Sequence, residues 1–414
     1  MRKYVTRSAI TVAPFLLLAA VGSTIASEQD FTQIEKGRYL ATAADCVACH
    51  TVPNAGQRYA GGRPIETPFG NINSANITPD RDTGIGAWTD EQFDNAVRKG
   101  IRPDGSRLYP AMPFTSYTKM SHDDVMAIRA YLKTIEPVHN SVVRDTLPFP
   151  LNIRFGMRAW DALYFSEGEF RPDPQRSAQL NRGAFLVEGP GHCTACHTAK
   201  SFLGGDKDSA HLQGSKIQGW FAPDITNDER TGLGLWSSDD IVAYLKTGHN
   251  RISAATGPMA EEIDNSTSKM SDSDLQAMAT YLKSLPGRQD SPEPVKADDP
   301  VMIAGQAIYR DQCSACHALD GKGVPKLFPS LADSSVVRSR DPATLIRLIL
   351  RGARSVATKE EPTSPGMPSF GKQLDDAQIA AVASYVRNAW GRQAPAVAAS
   401  EVSSAKSRLK ARTD

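Results

Sequence analysis

The chain has six cysteines in 414 residues, and all six fall in three copies of one pentapeptide. The copies read Cys46-Val-Ala-Cys49-His50, Cys193-Thr-Ala-Cys196-His197 and Cys313-Ser-Ala-Cys316-His317. Cys-x-x-Cys-His is the attachment sequence of a c-type haem. Two thiols one helical turn apart reach the two vinyl groups of one haem, and the imidazole that follows points at the iron. Three other readings compete. A redox Cys-x-x-Cys pair needs a thioredoxin-like context and no histidine after it. A zinc site closes on two pairs and leaves the third orphaned. A disulfide across so short a loop adds little closure entropy. Three copies that use every cysteine favour three covalent haem c groups, with His50, His197 and His317 as iron ligands.

The repeat is larger than the motif. Trp88 follows Cys46 by 42 positions and Trp236 follows Cys193 by 43. Asn76-Ile-Thr-Pro-Asp-Arg-Asp-Thr-Gly-Ile-Gly-Ala-Trp88 answers Asp224-Ile-Thr-Asn-Asp-Glu-Arg-Thr-Gly-Leu-Gly-Leu-Trp236. The first two copies are therefore duplicates, and the third lacks this insertion. Each copy is predicted to end in an amphipathic helix with a Ser or Asp cap, at Ser121, Ser271 and Asp375. Each is predicted to begin with a short helix bearing Gly37, Gly183 or Gly305, whose glycine permits a close crossing with the terminal helix.

Electron-transfer haems commonly take a methionine opposite the histidine, because the thioether raises the potential and blocks the iron. The third copy offers Met367, in Ser-Pro-Gly-Met-Pro. The first offers Met112 or Met120, and the second Met259 or Met270. Met112 and Met259 each stand 66 positions after the first cysteine of their own copy, whereas Met120 and Met270 stand at 74 and 77. Met120 and Met270 also precede helix caps where the third copy has Leu374, which suits a hydrophobic staple. Met112, Met259 and Met367 are the expected sixth ligands. Each histidine should also donate its other N–H to a backbone carbonyl; the candidate acceptors are Pro329, Pro223 and Pro68.

Arg2, Lys3 and Arg7 precede an apolar run from Ala9 to Val21 and the small residues Thr24-Ile25-Ala26. This reads as a secretory signal cut after Ala26; the alternative is an uncleaved anchor. Cleavage removes three basic residues and no acidic one, which takes the formal charge from +1 to −2. No later stretch approaches the ~18 apolar residues of a membrane span. Near-neutral charge and 7% aromatics give no footing for nucleic acid. The expected organisation is a signal peptide (1–26), a first domain (27–140), an apolar linker (141–175), a second domain (176–288), a polar linker (289–300), a third domain (301–391) and an Ala/Ser-rich tail (392–414) that is disordered or a weak helix. The apolar linker carries Leu147, Phe149, Ile153, Phe155, Trp160, Leu163, Tyr164 and Phe165, with Arg154 and Arg158 among them. It either fills a groove between domains or meets a partner or a membrane interface.

With its three motifs, its paired Ile-Thr-x-Asp…Gly-x-Gly-x-Trp segments and Tyr109-Pro-Ala-Met-Pro113, the chain resembles the triheme cytochrome c subunits of bacterial membrane-bound dehydrogenases. These serve quinoprotein alcohol dehydrogenases, flavin-dependent gluconate, sorbitol or fructose dehydrogenases, and some molybdenum aldehyde dehydrogenases. The resemblance implies an all-α chain of three tandem class I cytochrome c domains with long loops. It implies a separate catalytic dehydrogenase subunit (quinoprotein, flavoprotein or molybdenum type) as electron donor, and ubiquinone or a terminal oxidase as acceptor. The place of work would be the periplasmic side of the bacterial inner membrane, with peripheral membrane contact. The rival is a haem enzyme, a peroxidase or reductase, which needs an open iron. A credible methionine in each copy speaks against it, and no nucleotide fingerprint or acid–base triad is present.

Overall fold

A computed structural model of the chain describes Met1 and residues 19–54, 56–143, 146–288 and 292–410. The basic start of the expected signal, and its apolar run as far as residue 18, lie outside these residues. Each copy is built on two crossed helices. The opening helices are Ala19–Ala43, Ala178–Glu188 and Pro300–Ile308; the closing helices are His122–Leu132, Asp272–Ser284 and Asp376–Asn388. The first opening helix is longer than the short one expected and starts before Ala26.

The crossings depend on glycine. A Cβ on Gly37 would stand 1.8 Å from the Ala127 carbonyl oxygen, one on Gly183 1.9 Å from that of Ala277, and one on Gly305 2.2 Å from that of Ala381. No side chain fits such distances, so each pair of backbones meets directly. The closing helices start where the sequence places them. Ser121, Ser271 and Asp375 accept from the backbone N–H three residues on. A third helix completes each core: Asp90–Lys99, Ser238–Thr247 and Ala343–Arg351.

Two features add to the expected helices. The chain is mainly helical, and among the described residues three two-stranded antiparallel sheets lie between the helices. Pro64–Thr67 pairs with Gly70–Asn73, Gln213–Ile217 with Trp220–Asp224, and Ala353–Arg354 with Gly366–Met367. These strands span two to five residues, too few for alternation to stand out in sequence. In the tail, Ala399–Lys410 forms a helix, the second of the two expected alternatives. Val402, Ala405 and Leu409, spaced three and four apart, are buried on the third core. Composition hid this stripe, because Ala and Ser dominate the positions between.

The copies touch one another. Tyr39 of the first donates to Asp274 of the second at 2.6 Å, and Arg63 forms a two-pronged ion pair with Glu261. Between the second and third, Thr344 Oγ1 accepts from the Phe221 N–H at 2.7 Å and donates to its carbonyl at 3.0 Å. Each copy nevertheless keeps its own buried cluster.

Candidate haem-binding site

The motifs sit on single turns of helix at the end of each opening helix: Cys46–Cys49, Thr194–His197 and Ser314–His317. In the first two copies the chain turns into the motif through left-handed residues, Asp45 (φ 45°) and His192 (φ 38°). The third copy arrives through a widened turn, Tyr309–Cys313.

All three imidazoles are held the same way. His50 Nδ1 lies 2.6 Å from the Ala75 carbonyl oxygen, His197 Nδ1 2.7 Å from that of Pro223, and His317 Nδ1 3.0 Å from that of Pro329. A carbonyl only accepts, so Nδ1 carries the proton and Nε2 keeps its lone pair for a metal. Burial lowers the pKa of each ring, which favours the neutral ligand form. Pro223 and Pro329 are thus acceptors as expected, but Pro68 is not. Pro68 occupies the turn of the first hairpin, and Ala75 beyond that hairpin takes its place. The repeat already pointed there: Ala75 precedes Asn76-Ile-Thr as Pro223 precedes Asp224-Ile-Thr.

The six cysteines are free of disulfides. Burial pushes the thiols of Cys46 and Cys49 up to about 12 and those of Cys196 and Cys313 up to about 11, and raises that of Cys193 further. Redox pairs and zinc sites need thiolates, and these surroundings oppose thiolates. The cysteine pairs also belong to three separate cores, so no two of them close a four-sulfur site.

In the first copy Cys46, Cys49 and His50 line an apolar cavity with Met112, Trp88 and Tyr117. Met112 is half-buried at its wall. Met120 borders the same cavity but is fully buried in the core beside Val125 and Ile128. In the second copy Met259 packs on the cluster that Cys193 touches, while Met270 is buried within it. In the third, Met367 and Cys313 pack on one cluster, with Leu374 against the same core. Each copy therefore places its motif and its candidate methionine on one core. The residues fit a covalent haem in a further respect: the indole Nε1 of Trp236 is buried and has no acceptor among the described residues. A carboxylate-bearing cofactor would supply one.

The apolar linker divides in two. Leu147 is buried; Phe165 packs edge-on to Phe114 at 5.2 Å, Trp160 stacks obliquely on Tyr164 at 5.3 Å, and the Trp160 indole donates to the Leu203 carbonyl at 2.9 Å. Phe149, Ile153, Phe155 and Leu163 instead face outward.

Comparison with known proteins agrees with this architecture. A family model described as Cytochrome c matches residues 34–136, 181–286 and 302–390. The cytochrome c subunit of the quinone-type alcohol dehydrogenase of Gluconacetobacter polyoxogenes is 39% identical over 404 residues, covering 93% of this chain and 86% of that one. The gluconate 2-dehydrogenase cytochrome c subunit of Pantoea cypripedii is 40% identical over 90% of this chain and 89% of its own. The fructose dehydrogenase cytochrome subunit of Gluconobacter japonicus is 39% identical over 89% and 82%. Three attachment motifs, three carbonyl-anchored histidines and these relatives lead to one conclusion: the chain belongs to the cytochrome c family.

Proposed function

We propose that this protein is the electron-transfer subunit of a dehydrogenase complex, carrying three covalent haem c groups. It would take electrons from a separate catalytic subunit, of quinoprotein, flavoprotein or molybdenum type, and deliver them to ubiquinone or a terminal oxidase. It would do so on the periplasmic side of the inner membrane, after export and loss of residues 1–26. The observation that carries this reading is the threefold recurrence of one constellation: a cysteine pair, a histidine whose Nδ1 faces a backbone carbonyl, and a methionine on the same core.

When bound, haem iron supplies reversible one-electron chemistry. The chain supplies the rest. Each cysteine pair tethers a macrocycle, and each carbonyl fixes the tautomer and plane of its histidine. Met112, Met259 and Met367 would be the second protein ligands of the three irons and would deny them to small ligands. Names of relatives that join alcohol, gluconate and fructose oxidation to such a subunit support the partner class. A peroxidase or reductase reading is less favoured, because each copy carries a methionine on the same core as its motif, and such chemistry needs an open iron.

The test is a pyridine haemochrome assay on matured protein together with isolation of the native complex from membranes. Three haems per chain, reduced when substrate is added to a co-purifying dehydrogenase, are expected. Fewer than three haems would refute the stoichiometry. A chain whose haems stay oxidised in the intact, substrate-fed complex would refute the role.

A further inference from the structure

Met112 lies in irregular chain. Residues 108–113 belong to neither a helix nor a strand. The Met112 N–H donates to the Tyr109 carbonyl at 3.1 Å, and the Phe114 N–H donates to the Met112 carbonyl at 2.8 Å, so these bonds stay within the loop. The other two candidate ligands sit on regular elements. Met259 is on the helix Pro258–Asn265, and Met367 is in the strand Gly366–Met367.

The Met112 loop is gripped from outside by the linker. Arg154 donates to the Arg107 carbonyl at 3.0 Å and lies over the Tyr109 ring at 4.7 Å. The Tyr109 hydroxyl donates to the Leu151 carbonyl. Arg107 pairs with the buried Asp161 at 3.3 Å. Beyond the methionine, Phe114 meets the rings of Phe165 at 5.2 Å and Trp160 at 6.3 Å. Contacts at 107, 109 and 114 thus bracket Met112 on both sides. Asp104, on the turn before the loop, also attracts Arg154. The linker is in turn anchored in the second copy. The Trp160 indole donates to the Leu203 carbonyl, and Gly205 lies directly against the Tyr164 ring. The other linker takes a different course: the Val295 N–H donates to Asn388 at 3.0 Å, on the closing helix of the third copy.

We propose that residues 147–165 are a strap that positions Met112 as a ligand of the first iron, with Arg154 and Asp161 as its positioning residues. Ordering an irregular loop costs backbone entropy, and a bond between Met112 and iron would have to supply it. Contacts that order the loop beforehand leave that bond its full strength. Because the strap is anchored in the second copy, the potential of the first haem depends on how the two copies are joined. The inference rests on the reading of Met112 as the ligand.

The test is titration of the full ferric triheme protein with imidazole, which competes with methionine for iron, together with the midpoint potentials of its haems. Tyr109→Phe combined with Asp161→Asn removes two grips and leaves the side chains nearly the same size. About one third of the haem should then bind imidazole about ten-fold more tightly, the equivalent of one charged hydrogen bond. The potential of one haem should fall. Loss of the Asp161 charge alone would raise it, so a fall reports the methionine. Arg154→Gln should act on imidazole binding in the same direction. Phe155→Ser, outward on the same linker, should change neither measurement. In a Met112→Ala background, where the first iron is already open, the strap substitutions should add nothing. An effect that persists there would overturn the proposal, since the linker would then act on the fold and not through Met112. Unchanged imidazole affinity and potential in the double variant, beside a Met112→Ala protein that does open one iron, would overturn the strap and leave the ligand standing. A Met112→Ala protein with no opened iron would overturn both. If the double variant does not mature, Tyr109→Phe alone is read by the same two measurements, and silence in both overturns the strap.

Discussion

The first two copies and the third solve one problem by different routes. In the first two, the chain runs out through a hairpin and brings back a carbonyl 25 or 26 residues after the histidine. In the third a single antiparallel bridge, Val324 with Phe328, stands in for the hairpin, and the carbonyl of Pro329 arrives only 12 residues on. The Nδ1 to oxygen distance is nearly the same in all three. What the site requires is therefore a backbone oxygen at one place, and neither a loop length nor a residue type. The third copy differs again in its cover: it borrows the tail helix Ala399–Lys410. The crossed helices beneath are shared, and the variation is confined to what is laid over them.

The largest expected effects test whether the shared part is truly shared. Replacing Met112, Met259 or Met367 by Ala should open one iron in each case, so that about one third of the reduced haem binds carbon monoxide. Met120→Leu and Met270→Leu should leave carbon monoxide binding absent, since the third copy already places Leu374 against its core. If Met270→Leu were the variant that opens an iron, the register of the second copy would be different from that of the third.

The glycine crossings come next. Gly37→Ala, Gly183→Ala or Gly305→Ala puts a methyl carbon where a carbonyl oxygen already lies. The helices must move apart, at a cost of ~1–3 kcal/mol or more in a packed core. Denaturant unfolding followed by haem absorbance should show a similar loss for each copy. A silent Gly305→Ala would break the equivalence of the third copy.

The tail gives the sharpest contrast. Ending the chain at residue 396 should uncover one side of the third core and remove Val397, Val402 and Leu409 from it. Each buried aliphatic side chain is worth ~1.5–3 kcal/mol, partly offset by the entropy of ordering the helix. Haem absorbance should report early unfolding at His317 alone, with the first two copies unaffected. Simultaneous loss of all three would mean that the tail supports the whole molecule.

Much of this was legible in the sequence because its chemistry is local. Cys-x-x-Cys-His fixes a cofactor within five residues. Ser121, Ser271 and Asp375 mark helix starts because a cap bonds three residues ahead. The glycines stood out because each opening helix carries one. Other features were hidden for physical reasons. Strands of a few residues leave no periodic trace. A backbone acceptor has no side-chain signature, so seeking a proline found Pro223 and Pro329 and missed Ala75. The linker could be seen to be apolar, but only packing separates the inward Trp160 and Phe165 from the outward Phe149 and Phe155.

The smallest expected effect follows from the same point. In Pro223→Ala and Pro329→Ala the atom that accepts from the histidine is retained, because the acceptor is the carbonyl and not the ring. The first copy already works this way, with an alanine at position 75. The variants should therefore lose only the rigidity that proline imposes on the unfolded chain, ~0.4–1 kcal/mol of stability. Haem absorption and midpoint potential should stay with the parent protein, because the bond that sets the imidazole's tautomer and basicity persists. A clear shift in the potential of one haem would show that the pyrrolidine ring, by fixing φ, also aims the carbonyl. The second and third copies would then depend on a residue type that the first does without.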